Sequence, residues 1–273
     1  MSVPEMAKKD IKLIALDLDG TLLNSEKVIT PRTIAALQAA MRKGVRVTIA
    51  TGRMLLGAAF FGRQFGANAP IICCNGGVVQ GMDDPEPIFV RHMASETVRS
   101  ILSICHAHGW YANWYIGREV YVERYLPEYF YVYRTVEDFH VREVGNRFLD
   151  YTDDVIQCVV RDLDGNVEPK VHVLQEALPG AFSAQQNTGR SSDITPVGVT
   201  KALGLEFLMH HYGLAPENVM ACGDADNDLP MLRFAGTAVV PANGLDCAKA
   251  LATYHAESND EDGIAKAIEE LVL

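Results

Sequence analysis

The sequence predicts an α/β protein, a doubly wound parallel-sheet core (Rossmann-like) into which an α+β unit is inserted. Three observations predict it. Apolar runs at 11–16, 45–50 and 219–222 lack the alternation of half-exposed strands and read as parallel strands buried on both faces. Stretches of helical periodicity separate such runs, the alternation that builds right-handed crossovers. The middle of the chain breaks this pattern, with aromatics concentrated between Trp110 and Tyr133 and strands that look paired by tight turns. At 273 residues the chain also exceeds the ~150 residues of a typical domain, so two units are expected.

In chain order, the strand at 11–16 ends at Asp17-Leu18-Asp19-Gly20-Thr21. Two carboxylates therefore stand where open α/β sheets bind their ligands. Thr30-Pro31 followed by Ile34, Leu37 and Met41, with Gly44 beyond, predicts a capped helix of about three turns. A second strand at 45–50 ends at Thr51-Gly52-Arg53, a helix covers 54–65, and a third strand of the same sheet, 70–74, ends at Asn75-Gly76-Gly77. The character changes beyond Asp83-Asp84-Pro85. Ser95 is expected to cap a helix carrying Val98, Ile101, Leu102 and Cys105, closed near Gly109. Residues 110–115 and 119–123 are expected to form a hairpin around Gly117, followed by a strand at 155–161, a helix at 167–178 and a strand at 182–186. From Asp193 the parallel pattern resumes. Thr200 caps a helix carrying Leu203, Phe207 and Leu208, which ends at Gly213; 219–222 is a buried strand with Gly223-Asp224 at its end; Val239-Val240 continues the sheet; and a helix at 263–271 follows. The expected division is a core from 1–84 and 192–273 around an α+β unit from 85–191.

Composition narrows the function classes. A hydrophobic content of 48% with 22% charged residues is that of an ordinary globular protein, and a net charge of −11 disfavours nucleic acid or anionic membrane as a partner. The six cysteines, Cys73, Cys74, Cys105, Cys158, Cys222 and Cys247, form no Cys-x-x-Cys pair and mostly lie in apolar runs, so they read as reduced, core-filling thiols. Residues 1–10 lack an apolar signal core and no uninterrupted apolar run is long enough to span a bilayer, so a cytoplasmic location is expected. Nothing in the sequence marks an interface between copies of the chain.

The polar residues at element ends carry the chemistry: Asp17 and Asp19, Thr51, Lys201, and the run Asp224-Ala225-Asp226-Asn227-Asp228. Parallel strand ends lie side by side, so these residues can converge on one crevice. Carboxylates gathered there stay ionised only beside a cation, and an all-oxygen ligand set without His or Cys favours Mg²⁺. Plainer explanations account for other stretches. Asp162-Leu163-Asp164-Gly165 copies the first motif but has Asn166 where Thr would stand, and reads as a polar turn. Asp224, Asp226 and Asp228 imitate a calcium loop, yet Leu229 and Ala235 occupy the positions that require Gly and Glu. Trp114, Tyr115, Tyr121, Tyr129, Tyr131 and Tyr133 read as core before ligand surface, Arg118 and Arg190 are loop candidates for an anionic substrate, and the histidines read as surface residues.

Taken together these motifs resemble the haloacid dehalogenase-like phosphatase superfamily. D-x-D-G-T is matched by Asp17 to Thr21, the strand-end Thr by Thr51, the Lys opening a helix by Lys201, and G-D-x-x-N-D by Gly223 to Asp228. Asn75-Gly76-Gly77 and Ser258 to Ile264 are similar to segments of the Cof-type sugar-phosphate phosphatases. The resemblance implies an Mg²⁺-dependent phosphatase acting on a small phosphorylated metabolite, with the inserted unit as a cap over the crevice. It makes Asp17 the nucleophile that forms an aspartyl phosphate and Asp19 its general acid and base. Asp17, the Asp19 carbonyl and Asp224 would bind the metal. Thr51 and Lys201 would contact the transferring phosphoryl group, with Gly52, Asn75, Gly76 and Asn227 on the substrate and Asp228 supporting the metal shell or Lys201. A phosphomutase would use the same carboxylate pair. A non-catalytic sugar-phosphate sensor would be expected to lack Asp17 or Asp19, and both are present. The family's usual loop after the strand at Val239 is replaced by Pro241-Ala242-Asn243.

Overall fold

The computed structural model describes residues 10–130 and 140–273. Tyr131 and Tyr133 lie outside the described residues. The chain opens with β1 (Leu13–Leu16), α1 (Pro31–Arg42), β2 (Arg46–Ile49) and α2 (Leu55–Phe65). Thr30 caps α1 by accepting from the Thr33 amide, with Pro31 at the first helical position. Much later come α5 (Lys201–His211), β12 (Val219–Cys222), α6 (Leu229–Phe234), β13 (Thr237–Pro241), α7 (Asp246–Lys249), β14 (Tyr254–Ala256) and α8 (Gly263–Leu271).

These two stretches build one five-stranded sheet in the order β14-β13-β12-β1-β2, parallel at every pairing. Its strands are buried on both faces, which explains their continuous apolar runs. Ile14, Leu16, Val47 and Ile49 pack on the side of α1, α2 and α8, while Leu13, Ala15, Val219 and Ala221 pack on the side of α5 and α6. Strand β1 is central: the chain moves first to β2 on one side and, after the insertion, to β12 on the other. The C-terminal ends of β1 and β12 therefore flank the switch point where doubly wound sheets open a ligand crevice.

The third strand differs from expectation. β3 (Ile71–Cys73) pairs antiparallel with β4 (Val78–Gln80), which pairs with β5 (Phe89–Val90) in a separate three-stranded sheet. A parallel bridge between Ala50 and Ile72, with the Thr51 amide donating to the Ile72 carbonyl, ties it to the end of β2. The cause is the turn at Cys74-Asn75-Gly76, where φ is 48°, 55° and 95°, left-handed values that fold the chain back on itself.

The inserted unit comprises α3 (Ser95–Ala107), β6 (Tyr111–Ile116), β7 (Glu119–Val122), β8 (Val141–Glu143), β9 (Val155–Arg161), α4 (Glu168–Ala177), β10 (Ser183–Thr188) and β11 (Ser191–Thr195). Its six strands run in the order β10-β11-β9-β6-β7-β8. Asp193, read as the return of the parallel pattern, lies in β11 and pairs antiparallel with β9. Ser95 is the first residue of α3, its hydroxyl bonded to Asp153, while Ala94 holds the cap position. One face of this sheet packs Trp114, Tyr121, Cys158, Val160 and Ile194 with side chains of α3 and α4; the other carries Tyr115, Val120, Val122 and Val159 into the cluster shared with the parallel sheet.

Candidate active site

Asp17 directly follows β1, its amide donating to the Cys222 carbonyl at the end of β12, so both strand ends are locked together. Lys201, the first residue of α5, is fully buried and reaches the same point. Its Nζ donates to Asp17 Oδ1 at 2.5 Å and to Asp228 Oδ1 at 2.6 Å. The other Asp228 oxygen accepts from the backbone amides of Asp224 (2.8 Å) and Ala225 (3.0 Å), so this one carboxylate fixes both the lysine and the loop after β12. Asp224 Oδ1 accepts from the Thr21 hydroxyl at 2.5 Å. A Cβ at Gly20 would strike the Asp224 carboxylate, and φ of +89° there already favours glycine.

Carboxylate oxygens of Asp17, Asp224 and Asp228 lie within 4.8 Å of one another. Burial lifts the Asp17 carboxyl from 3.8 to about 8, against the pull of Lys201 and with further push from Asp228 and Asp224. Burial likewise lifts Asp224 to about 6, despite the hydrogen bond from Thr21. Burial alone would lower the Lys201 ammonium, but Asp17 and Asp228 raise it above its ordinary value, so it stays charged. One lysine facing three clustered carboxylates, Asp17 and Asp228 buried and Asp224 half-buried, leaves negative charge uncompensated, and every donor is oxygen. The residues present fit a hard divalent cation.

Asp19 points elsewhere. Its carboxylate accepts from Arg53 Nε and an Arg53 terminal nitrogen at 2.9 and 2.8 Å and from Lys27 Nζ at 3.0 Å. Partial burial would raise its pKa, but these cations outweigh it and hold the group below the usual carboxylate range. Thr51 is buried, and its hydroxyl oxygen accepts from the Arg53 amide. The Asn75 amide donates to the Thr51 carbonyl, which brings the β3 turn beside the end of β2. Asn75 itself is fully buried; its Nδ2 donates to Asp193 Oδ2 at 2.8 Å and its Oδ1 accepts from Asn227 at 3.3 Å. Asn227, expected on the substrate, is thus engaged with Asn75. Gly52 lies close to Asp193 and Asn75, and Gly76 packs so tightly on the Thr200 carbonyl that any Cβ would overlap it.

The strand-end residues named from sequence therefore converge, with Asp19 at the rim. Sequence reasoning missed Thr21 and Arg53, although both lie inside quoted motifs, and it missed the contact of Asp193 with Asn75, for which no local signal exists. The altered loop has a structural role: Asn243 donates to the Gly20 carbonyl at 2.7 Å and accepts from the Asn259 amide, while Asn259 donates to the Leu23 carbonyl and Asp260 accepts from Ser25. The segment 258–264 thus clamps the loop that carries Asp17 and Asp19. Asp162 to Gly165 forms a turn, with the Asp164 amide on the Asp162 carboxylate and Lys170 paired to it at 2.8 Å.

Comparison with known proteins agrees with this geometry. The model of the haloacid dehalogenase-like hydrolases matches residues 14–268, and the chain belongs to that family. It is 29% identical over 267 residues to the 5-amino-6-(5-phospho-D-ribitylamino)uracil phosphatase YitU of Bacillus subtilis, covering 94% of this chain and 96% of that one. A haloacid dehalogenase-like hydrolase from Bacteroides thetaiotaomicron superposes with a TM-score of 0.84 at 30% identity, covering 95% and 98% of the two chains. The subclass IIB sugar phosphatase BT4131 superposes at 0.80 with 26% identity, covering 94% and 98%. Within the family the protein is of the Cof type, a phosphoric monoester hydrolase with a cap over a parallel-sheet core. No described helix is long and apolar enough to cross a membrane.

Proposed function

We propose that the protein is an Mg²⁺-dependent phosphatase that hydrolyses a small phosphomonoester, a sugar phosphate, through an aspartyl phosphate on Asp17, in the cytoplasm. The observation that carries this reading is the convergence of Asp17, Asp224 and Asp228 within 4.8 Å around the buried Lys201 ammonium. The names of YitU and BT4131, a phosphatase of a phosphoribityl compound and a sugar phosphatase, support the substrate class. In this reading residues 1–84 and 192–273 are the catalytic core and 85–191 the cap, with β11 carrying cap chain on to Thr195.

An Asp17 oxygen attacks phosphorus in line, the bond to the leaving oxygen breaks, and Asp19 gives that oxygen a proton. A water then attacks the aspartyl phosphate, Asp19 takes the water's proton, and phosphate and the Asp17 carboxylate are regenerated. Mg²⁺ held by Asp17, the Asp19 carbonyl and Asp224 supplies the charge that lets an anionic nucleophile approach an anionic phosphate. The Thr51 hydroxyl and the Lys201 ammonium donate to phosphoryl oxygens, and Gly52, Asn75, Gly76 and Asn227 shape the phosphate side. Asp19 is held ionised by Arg53 and Lys27, which suits the second step. A phosphate dianion arriving beside Arg53 competes for its guanidinium, and that exchange lets Asp19 take up the proton that the first step needs.

The test is phosphate release from p-nitrophenyl phosphate and a panel of sugar phosphates, with Mg²⁺ and with chelator. Turnover that requires the metal and is abolished in Asp17→Asn is expected; metal-independent turnover, or full activity in Asp17→Asn, would contradict the reading.

A further inference from the structure

A cavity of about 250 Å³ lies between the core and the inserted unit, beside the start of α2. Met54, Leu55, Leu56 and Val78 line it from the core, and Arg118 and Ile156 from the inserted unit. None of Asp17, Asp19, Thr51, Lys201 and Asp224 borders it. Met54 and Cys74 form the partition, because Arg53 before the one and Asn75 after the other belong to the crevice. The outer wall is stiff: Gln80 donates to the Asp84 carbonyl at 2.8 Å, and Pro85 and Pro87 restrict their own backbone.

Register places Ile116 opposite Glu119, so Gly117 and Arg118 form a two-residue turn, and φ of +56° at Gly117 suits glycine there. That turn brings Arg118, expected from sequence to meet an anion, to the cavity. Among the described residues, Arg118 Nε is buried without a hydrogen-bond partner. A buried guanidinium nitrogen with no acceptor is costly, and beside a cavity it marks a place that a ligand completes. No side chain caps α2, whose first residues line the same cavity, so the positive end of the helix adds to the guanidinium. Burial pushes the Cys73 and Cys74 thiols up, which keeps these two lining groups neutral.

We infer that this cavity is a ligand site outside the catalytic crevice, and that it takes a small monocarboxylate with an apolar body of about five carbons. The fork of Nε and one terminal nitrogen of Arg118 matches the two oxygens of a carboxylate side-on. Met54, Leu55, Val78 and Ile156 supply the apolar walls for the body. A cavity of about 150 Å³ holds the six carbons of benzene, so one of about 250 Å³ holds roughly eight to ten non-hydrogen atoms. A phosphate dianion fits poorly, because its remaining oxygens would face those apolar walls unpaired. The exposed carboxylate of Glu86 borders the cavity and opposes a second anionic group on the ligand.

Isothermal titration calorimetry of the full-length protein in chelator, with hexanoate as the probe, tests the site without recourse to turnover. Hexanoate is expected to bind, with hexanol and butanoate each at least roughly tenfold weaker for loss of the charge and of two methylenes. Adipate, the dicarboxylate, is expected to bind more weakly than hexanoate. Arg118→Met is expected to weaken hexanoate by at least roughly tenfold. Leu56→Trp, which fills the cavity from a half-buried position and leaves Arg118 in place, is expected to abolish binding. Excess inorganic phosphate with Mg²⁺ is expected to leave hexanoate affinity unchanged, because the crevice is a separate site. No binding of hexanoate, equal affinity for hexanoate and hexanol, unchanged affinity in either variant, or loss of binding in phosphate and Mg²⁺ would overturn the inference. None of these results bears on the phosphatase reading, which stands or falls with Asp17.

Discussion

The Lys201 ammonium lies 2.5 Å from the Asp17 carboxylate, two residues 184 positions apart in sequence and both buried at the end of the central strand. An ion pair placed there is costly to desolvate and costlier to break, because the surviving partner is left uncompensated. Lys201→Met leaves Asp17, Asp224 and Asp228 facing one another without a counter-charge. The variant is expected to lose about 3–5 kcal/mol of stability in chelator and to lose roughly 10²–10³-fold in kcat. Urea unfolding and steady-state turnover check the two effects, and a variant of native stability would argue against the ion pair.

The protonation behaviour of the cluster sets a pH dependence. Folded Asp17 and Asp224, lifted to about 8 and about 6, hold protons that the unfolded chain has already released above 3.8. The folded state then binds more protons than the unfolded one, so stability falls as pH rises through this window. In chelator the melting temperature is expected to decline between pH 5 and pH 8. Added Mg²⁺ competes with those protons, so its stabilising increment is expected to grow over the same range. Melting curves with and without metal test this, and an increment that shrinks toward pH 8 would contradict it.

Arg53 holds Asp19 through two hydrogen bonds and keeps it ionised. Removing the guanidinium in Arg53→Met raises the Asp19 pKa, so its proton persists to higher pH. The limb of the kcat/KM profile that reports loss of that proton is expected to move upward in pH, with a loss of at least roughly tenfold at neutral pH from the missing phosphate partner. An unmoved profile would separate Arg53 from Asp19.

Gly76 has φ of +95° and rests against the Thr200 carbonyl just before Lys201. Gly76→Ala is expected to cost at least about 1–3 kcal/mol from backbone strain alone and to displace the start of α5, reducing turnover. Asp164→Asn, in the turn that copies the first motif, is expected to leave turnover unchanged. A drop in Asp164→Asn would show that the second copy carries chemistry.

Much of this was legible because buried parallel strands announce themselves as apolar runs and the residues that end them are polar for a reason. Asp17, Thr51, Lys201 and Asp224 each sit at an element boundary in sequence and at one crevice in space. The separate sheet of β3, β4 and β5 was not read, because three- and two-residue strands carry too little periodicity, although Asn75-Gly76 signalled the turn. Asp193 was placed with the core because β11 precedes α5 so closely that no composition change separates them. Arg53 looked like an ordinary motif neighbour; only the fold brings it to Asp19, and only the fold brings Arg118 beside the start of α2.

The central claim is that Asp17 becomes phosphorylated. Turnover with an excess of sugar phosphate, quenched in acid and reduced with borohydride, converts an aspartyl phosphate to homoserine, which peptide mass spectrometry locates by residue. Homoserine at position 17, dependent on substrate and on Mg²⁺, is the expected result. Active enzyme that yields no modified residue, or modification at a carboxylate other than Asp17, would contradict the account.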